Sequence, residues 1–227
     1  MAEPGKATGG LAAPTGGTIE AVVSDFGGVL TTPLMGSFLA LQDAHGVGPE
    51  DFGKAMRAAE KAGDGENPLF KLERGDITEP EFLDVLRNGF EVAVGHRPEL
   101  HRFREIFFEA LDPNEPMIDL MRELKASGLR MAMLTNNVQE WEPLWRTMLP
   151  VDEIFETVID SGFVGYRKPE RQIYEITLER LGLPASACLF VDDMEVNCEA
   201  ARELGFTAVQ YREPEQAVAE VRAALSS

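Results

Sequence analysis

The chain has 227 residues and a mass of 25.0 kDa, enough for one sizeable domain or for a core domain with a small cap. Its 39 Asp and Glu against 21 Lys and Arg give a net charge of −18. This disfavours nucleic acid and anionic membrane surfaces as partners, because both need a basic footprint. No apolar stretch approaches the roughly 20 residues that span a bilayer, and no basic-then-apolar secretory signal opens the chain. A soluble, cytoplasmic monomer or homodimer is therefore expected.

Residues 1–17, rich in Gly, Ala, Pro and Thr, lack apolar periodicity and read as a flexible leader. From Thr18 onward, short apolar runs alternate with amphipathic helical stretches, the pattern of an α/β fold with helices covering a parallel sheet. The first run, 19–24, ends in Asp25-Phe26-Gly27-Gly28. Ligands of open α/β sheets bind beyond the carboxyl ends of the strands, and adjacent glycines there let backbone N–H groups approach an anion.

The alternation then stops. Helical patterns over 34–45, 49–61, 79–90 and 98–111 contain no convincing strand, so 32–114 is expected to be a helical cap that returns to the loop it left and closes over Asp25. The core is assigned to 18–31 and 115–227. Its further strands are expected at 130–134, 157–160, 189–191 and 208–211, and its helices at 115–127, 140–149, 169–181, 196–204 and 215–225. Proline near helix starts and glycine after helix ends, as in Lys125-Ala126-Ser127-Gly128, set these limits.

Three segments downstream of Asp25 lie where a site would be completed. Thr135-Asn136-Asn137 follows one apolar run, Lys168-Pro169 opens a helical pattern, and Asp192-Asp193 follows another apolar run. Other chemistry-bearing residues lack such a setting. Cys188 and Cys198 have neither Cys-x-x-Cys spacing nor histidine neighbours and read as core thiols. His45, His96 and His101 show no metal-ligand spacing. Trp141 and Trp145, four apart, read as a packing stripe of one helix in preference to an aromatic binding face. Lys71 and Arg74 read as exposed cations.

The four ordered segments resemble the haloacid dehalogenase-like hydrolase superfamily, over essentially all of the chain from Thr18. The phrases Leu72-Glu73-Arg74-Gly75-Asp76-Ile77 and Phe190-Val191-Asp192-Asp193-Met194-Glu195-Val196-Asn197 are similar to those of the branch that contains the phosphatase domain of soluble epoxide hydrolase and small sugar-phosphate phosphatases. The resemblance implies a doubly wound parallel sheet with a helical cap after the first strand. It also implies hydrolysis of a small phosphorylated metabolite.

A carboxylate can attack phosphorus in line and form an aspartyl-phosphate, and Asp25 is the candidate nucleophile. A hard cation with oxygen ligands, Mg²⁺, is expected to offset the repulsion between the two anions. Asp25 and Asp193 are the expected carboxylate ligands. The resemblance adds the backbone carbonyl of Gly27 as a ligand and gives Asp192 the orienting of a metal-bound water. Phe26, Gly27, Thr135, Asn136 and Lys168 are the expected contacts to the phosphoryl group, with Thr135 donating its hydroxyl and Lys168 its positive charge.

One departure from the family pattern stands two residues past the nucleophile. Many superfamily phosphatases have a second aspartate there as general acid and base, and this chain has Gly27. Two alternatives follow. A haloacid dehalogenase also dispenses with that aspartate but needs no cation, and a catalytically impaired relative would bind a phosphorylated ligand or a protein partner without turnover.

Overall fold

The computed structural model describes residues 18–226, so the expected leader lies outside the described residues. Strand β1 (Ala21–Ser24) is followed by helices α1 (Met35–His45), α2 (Pro49–Ala62), α3 (Pro68–Glu73), α4 (Glu79–Val94) and α5 (Phe103–Glu109). Then come α6 (Glu115–Ala126), β2 (Arg130–Thr135), α7 (Glu142–Trp145), α8 (Val151–Ile154), β3 (Thr157–Asp160), α9 (Ser161–Val164) and α10 (Arg171–Leu181). The chain finishes with β4 (Cys188–Asp192), α11 (Glu195–Glu203), β5 (Thr207–Gln210) and α12 (Pro214–Leu225).

All strand pairs are parallel and the order is β3-β2-β1-β4-β5. The sheet is therefore doubly wound, with its switch point between β1 and β4, where the crossover direction reverses. Side chains alternate across it as the two-residue period requires. Val22, Met131, Met133, Leu189 and Val191 face α6, α12 and the helical insertion. Ala21, Val23, Ala132, Leu134, Cys188 and Phe190 face α10 and α11. Both faces are covered, which is why these strands read as unbroken apolar runs.

The insertion leaves and returns at one point. Thr31 bridges Pro113, Thr32 N–H donates to the Asp112 carbonyl at 2.8 Å, and Asn114 N–H donates to the Leu30 carbonyl at 2.9 Å. Asn114 Nδ2 donates to the Val29 carbonyl at 2.7 Å. Within the insertion α4 opens with a capping box, Thr78 N–H donating to Glu81 Oε2 at 2.8 Å.

Several helices differ from expectation. The segment 140–149 is a 3₁₀ turn, Gln139–Trp141, followed by the short α7. Pro143 has no N–H for a preceding carbonyl, so a helix can start at it but not run through it. The segment 98–111 is helical only from Phe103, because Arg102 takes a left-handed conformation at φ 52°. Trp141 and Trp145 consequently do not share one helical stripe. Trp145 is fully buried against Phe26, at 5.4 Å between ring centroids, while Trp141 packs on Phe107 and Phe108 and donates from Nε1 to Glu79 Oε1 at 2.9 Å. The short helices α3, α8 and α9 lack the length that makes a periodic signal.

Cys188 and Cys198 are buried and unpaired, and burial pushes their thiols up to about 11 and about 12. They are neutral core groups, as expected. Lys71 pairs with Asp64, whereas Arg74 is more than a surface cation and reaches Glu66, Asp76 and Glu170.

Asp160 closes β3 and caps α9 by accepting from Gly162 N–H at 2.9 Å through Oδ1. Its Oδ2 is buried without a hydrogen-bond partner, and burial pushes the carboxyl up to about 7. The folded protein therefore keeps a proton that the unfolded chain releases between about pH 4 and 7, so stability falls across that window as pH rises. Asp160→Asn is expected to flatten this slope and to be the more stable form at pH 8, by up to about 4 kcal/mol. Urea unfolding of both proteins at pH 5 and pH 8 checks the difference.

Candidate active site

The site lies along the carboxyl ends of β1, β2 and β4, on either side of the switch point. Asp25 N–H donates to the Val191 carbonyl at 2.9 Å, extending the β1–β4 pairing by one bond beyond the strand. Its Oδ1 accepts from Phe26 N–H at 2.7 Å and lies 2.7 Å from Lys168 Nζ. Lys168 Nζ also lies 2.6 Å from Asp192 Oδ2 and is 1% exposed. The other Asp192 oxygen accepts from Met194 N–H at 2.8 Å and from Asn197 Nδ2 at 2.9 Å.

Asp25, Asp192 and Asp193 each place one oxygen so that all three lie within 4.8 Å of one another. Burial raises the Asp25 carboxyl, Asp192 and Asp193 act in the same direction, and Lys168 opposes them. Burial and Asp192 likewise raise Asp193. Burial alone would lower Lys168, but Asp192 and Asp25 outweigh it and leave its affinity for the proton raised. Three carboxylates against one ammonium leave two negative charges when all are ionised, and an all-oxygen set with that excess suits a hard divalent cation.

Gly28 sets the approach of Asp193. Its φ is +78°, and a Cβ there would stand 2.8 Å from Asp193 Oδ2, so the open backbone at this position forms a cradle for that carboxylate. Gly27 differs, since a Cβ on it would be in ordinary contact with the Leu34 side chain alone, nearest Cδ2 at 3.4 Å.

Thr135 ends β2, is buried, and lines a cavity of about 120 Å³ together with Phe26, Gly27 and Asn136. The Asn136 amide has a different partner from the phosphoryl group expected of it. Oδ1 accepts from Lys168 N–H at 2.7 Å and Nδ2 donates to the Lys168 carbonyl at 3.0 Å, so this side chain clamps the backbone that carries the ammonium. The three histidines stand outside the acidic cluster, with His101 paired to Glu99 at 3.3 Å on the surface.

Sequence reasoning gave three contributors no role of their own. Asn197 orients Asp192, and its signal was the position five residues past that aspartate. Glu73, at the end of α3, lines the cavity and takes a 2.6 Å bond from Arg167 Nε; burial raises its carboxyl and Arg167 opposes this. The Arg167 guanidinium in turn lies 3.8 Å from the Phe70 ring centroid. Arg74 and Glu170 stand 3.6 Å apart, so two ion pairs tie α3 to the segment that carries Lys168.

A strand-end cluster of carboxylates, Asp25 and Asp192 buried and Asp193 half-buried, next to a cavity that Phe26, Gly27 and Thr135 line, is the arrangement of an α/β enzyme. The model of the haloacid dehalogenase-like hydrolases matches residues 19–205, and the chain belongs to that family. It is 31% identical to acyl-CoA dehydrogenase family member 10 of Mus musculus over 92% of this chain and 19% of that protein. It is 27% identical to bifunctional epoxide hydrolase 2 of Rattus norvegicus over 87% of this chain and 37% of that one. The chain thus spans well under half the length of either. A sesquiterpene phosphatase of Aspergillus oryzae is 27% identical over 85% of this chain and 89% of its own. Among solved structures, a haloacid dehalogenase family enzyme of Bacteroides thetaiotaomicron in magnesium complex superposes with a TM-score of 0.64 at 23% identity, over 86% of this chain and 94% of that one. No helix among the described residues is long and apolar enough to cross a membrane.

Proposed function

We propose that the protein is a Mg²⁺-dependent phosphatase that hydrolyses a small phosphate monoester through an aspartyl-phosphate on Asp25. The observation that carries this reading is Lys168 Nζ within 2.7 Å of Asp25 and 2.6 Å of Asp192, beside the Asp193 carboxylate. A phosphatase relative of nearly the same length supports it.

Asp25 is held for attack by Phe26 N–H and Lys168 on Oδ1, which fixes the rotation of its carboxylate. Lys168 offsets the negative charge that accumulates as the phosphoryl group is transferred, and Thr135 donates its hydroxyl to a phosphoryl oxygen. Asp25, Asp193 and the Gly27 carbonyl are the oxygen donors that would hold Mg²⁺, with Asp192 behind them. The ion would supply charge neutralisation between nucleophile and phosphate. The insertion 32–114 serves as the cap that keeps water from the site.

In a dehalogenase Asp25 would attack carbon and no cation is needed, so the second acidic group of the Asp192 and Asp193 pair favours the phosphatase. Phosphate release from a broad panel of monoesters, with Mg²⁺ and with excess chelator, tests the reading; release indifferent to the chelator, or none from any ester, overturns it. Gly28→Ala is expected to displace Asp193 and weaken Mg²⁺ binding by at least about tenfold, because the new methyl group occupies the carboxylate's place and the backbone favours glycine. Calorimetric titration of Mg²⁺ into both proteins measures it.

A further inference from the structure

We infer that the leaving group is a single aromatic ring, so that the substrate is the phosphate monoester of a phenol; this rests on the phosphatase reading of the same site. The cavity beside Gly27 and Thr135 is lined by seven phenylalanines and Trp141. The rings brace one another, with Phe38 edge-on to both Phe52 and Phe107 and Phe107 against Trp141 at 5.4 Å. The wall is thus set before any ligand arrives.

Three of its polar side chains are already engaged, and Thr135 is the phosphoryl donor of the phosphatase reading. Glu73 is paired with Arg167, Asn136 is bonded to the Lys168 backbone, and Asn137 Oδ1 accepts from Val138 N–H at 2.9 Å. A polyhydroxylated leaving group would bury hydroxyls among phenyl rings, each unpartnered one costing about tenfold or more in binding. Size narrows the choice. The cavity is about 120 Å³, close to the roughly 150 Å³ of an apolar cavity that takes up benzene.

Gly27 fits the same substrate twice. An aspartate there would set a carboxylate in an apolar wall. Its absence also leaves no side-chain acid at that position for the departing oxygen, which an alkoxide needs but a phenolate, with a pKa near 10, needs far less. In the reaction an Asp25 carboxylate oxygen bonds to phosphorus while the P–O(aryl) bond breaks, its electron pair leaving on the phenolate. Water then attacks phosphorus, the bond to Asp25 breaks and the carboxylate is restored. One proton of the water remains on the phosphate and the other goes through solvent to the phenolate.

The test compares kcat/KM for phenyl, benzyl and glycerol phosphates and glucose 6-phosphate in Mg²⁺, with acetyl phosphate, an acyl phosphate, as a phosphoryl donor too small to use the cavity. Phenyl phosphate is expected to exceed glycerol phosphate by at least about 100-fold, with benzyl phosphate between them. Leu34→Asn, at a partly exposed position of the wall, is expected to narrow the phenyl-to-glycerol ratio about tenfold. Release from glycerol or glucose phosphate equal to that from phenyl phosphate overturns the inference and leaves the phosphatase reading standing.

Release from none of them, acetyl phosphate included, removes the phosphatase reading instead. The ring site is then judged without turnover, by calorimetric titration of benzylphosphonate and methylphosphonate into the Mg²⁺-containing protein. Binding of the benzyl compound at least about 30-fold tighter supports an aromatic site, and equal affinities overturn it.

Discussion

Asp25→Asn is expected to lower phosphate release from every ester by at least about 10⁴-fold, because an amide oxygen is too weak a nucleophile to form the acyl-phosphate. The substitution keeps the shape of the side chain. Its oxygen can still accept from Phe26 N–H and Lys168, the two bonds that now fix Oδ1. It also removes one of three like charges gathered in a buried place. The variant is therefore expected to melt no lower than the parent protein at pH 7.5. Loss of turnover with an unchanged melting temperature identifies the nucleophile; normal turnover in the variant would eliminate the aspartyl-phosphate mechanism. A sharp drop in melting temperature would instead mark Asp25 as a structural partner of Lys168.

Lys168→Ala is expected to cost both activity and stability. The ammonium pairs with two carboxylates at once, and breaking a buried pair while leaving the acidic side in place typically costs about 3–5 kcal/mol. Here Asp25 and Asp192 would face each other with Asp193 beside them. Turnover is expected to fall about 10²–10³-fold through lost charge stabilisation.

The stability deficit has a sign that can be checked. Without the lysine the folded carboxyls hold protons more tightly than the unfolded chain does, so the variant regains stability relative to the parent as pH falls from 7.5 to 5.5. Millimolar Mg²⁺ should recover part of it at pH 7.5 by supplying the missing positive charge. Urea unfolding at both pH values, with and without the ion, measures these effects. A deficit unchanged by either treatment would assign the loss to packing against Phe190, whose ring lies 5.7 Å from the ammonium.

The strand ends were legible because both faces of the sheet are covered. Each central strand carries an apolar run, so the polar residues that close or follow it, Ser24 and Asp25, Thr135, and Asp192 and Asp193, stand out. Helix limits were less legible where proline sits inside an otherwise amphipathic stretch, as at Pro143. Bonds that join distant segments left no local trace. Asn136 and Lys168 are 32 residues apart, and nothing around Asn136 announces that its amide serves a lysine backbone. The aromatic cavity was hidden for another reason. Periodicity identifies the apolar side of α2, but Phe38, Phe52 and Phe107 look the same in sequence whether they fill a core or surround a void.

The junction of the insertion has a meaning for how such a chain can change. Thr31, Thr32, Asp112, Pro113 and Asn114 close their own short antiparallel contact, so the chain enters and leaves the inserted helices by two adjacent backbone threads fastened to each other. A different run of residues spliced between 33 and 111 would inherit that fastening, and no strand of the sheet would change its neighbour. The insertion supplies only part of the chamber wall, and Phe26, Thr135 and Trp141 supply the rest, so such an exchange would alter leaving-group contacts on one side while the carboxylates stay at the strand ends.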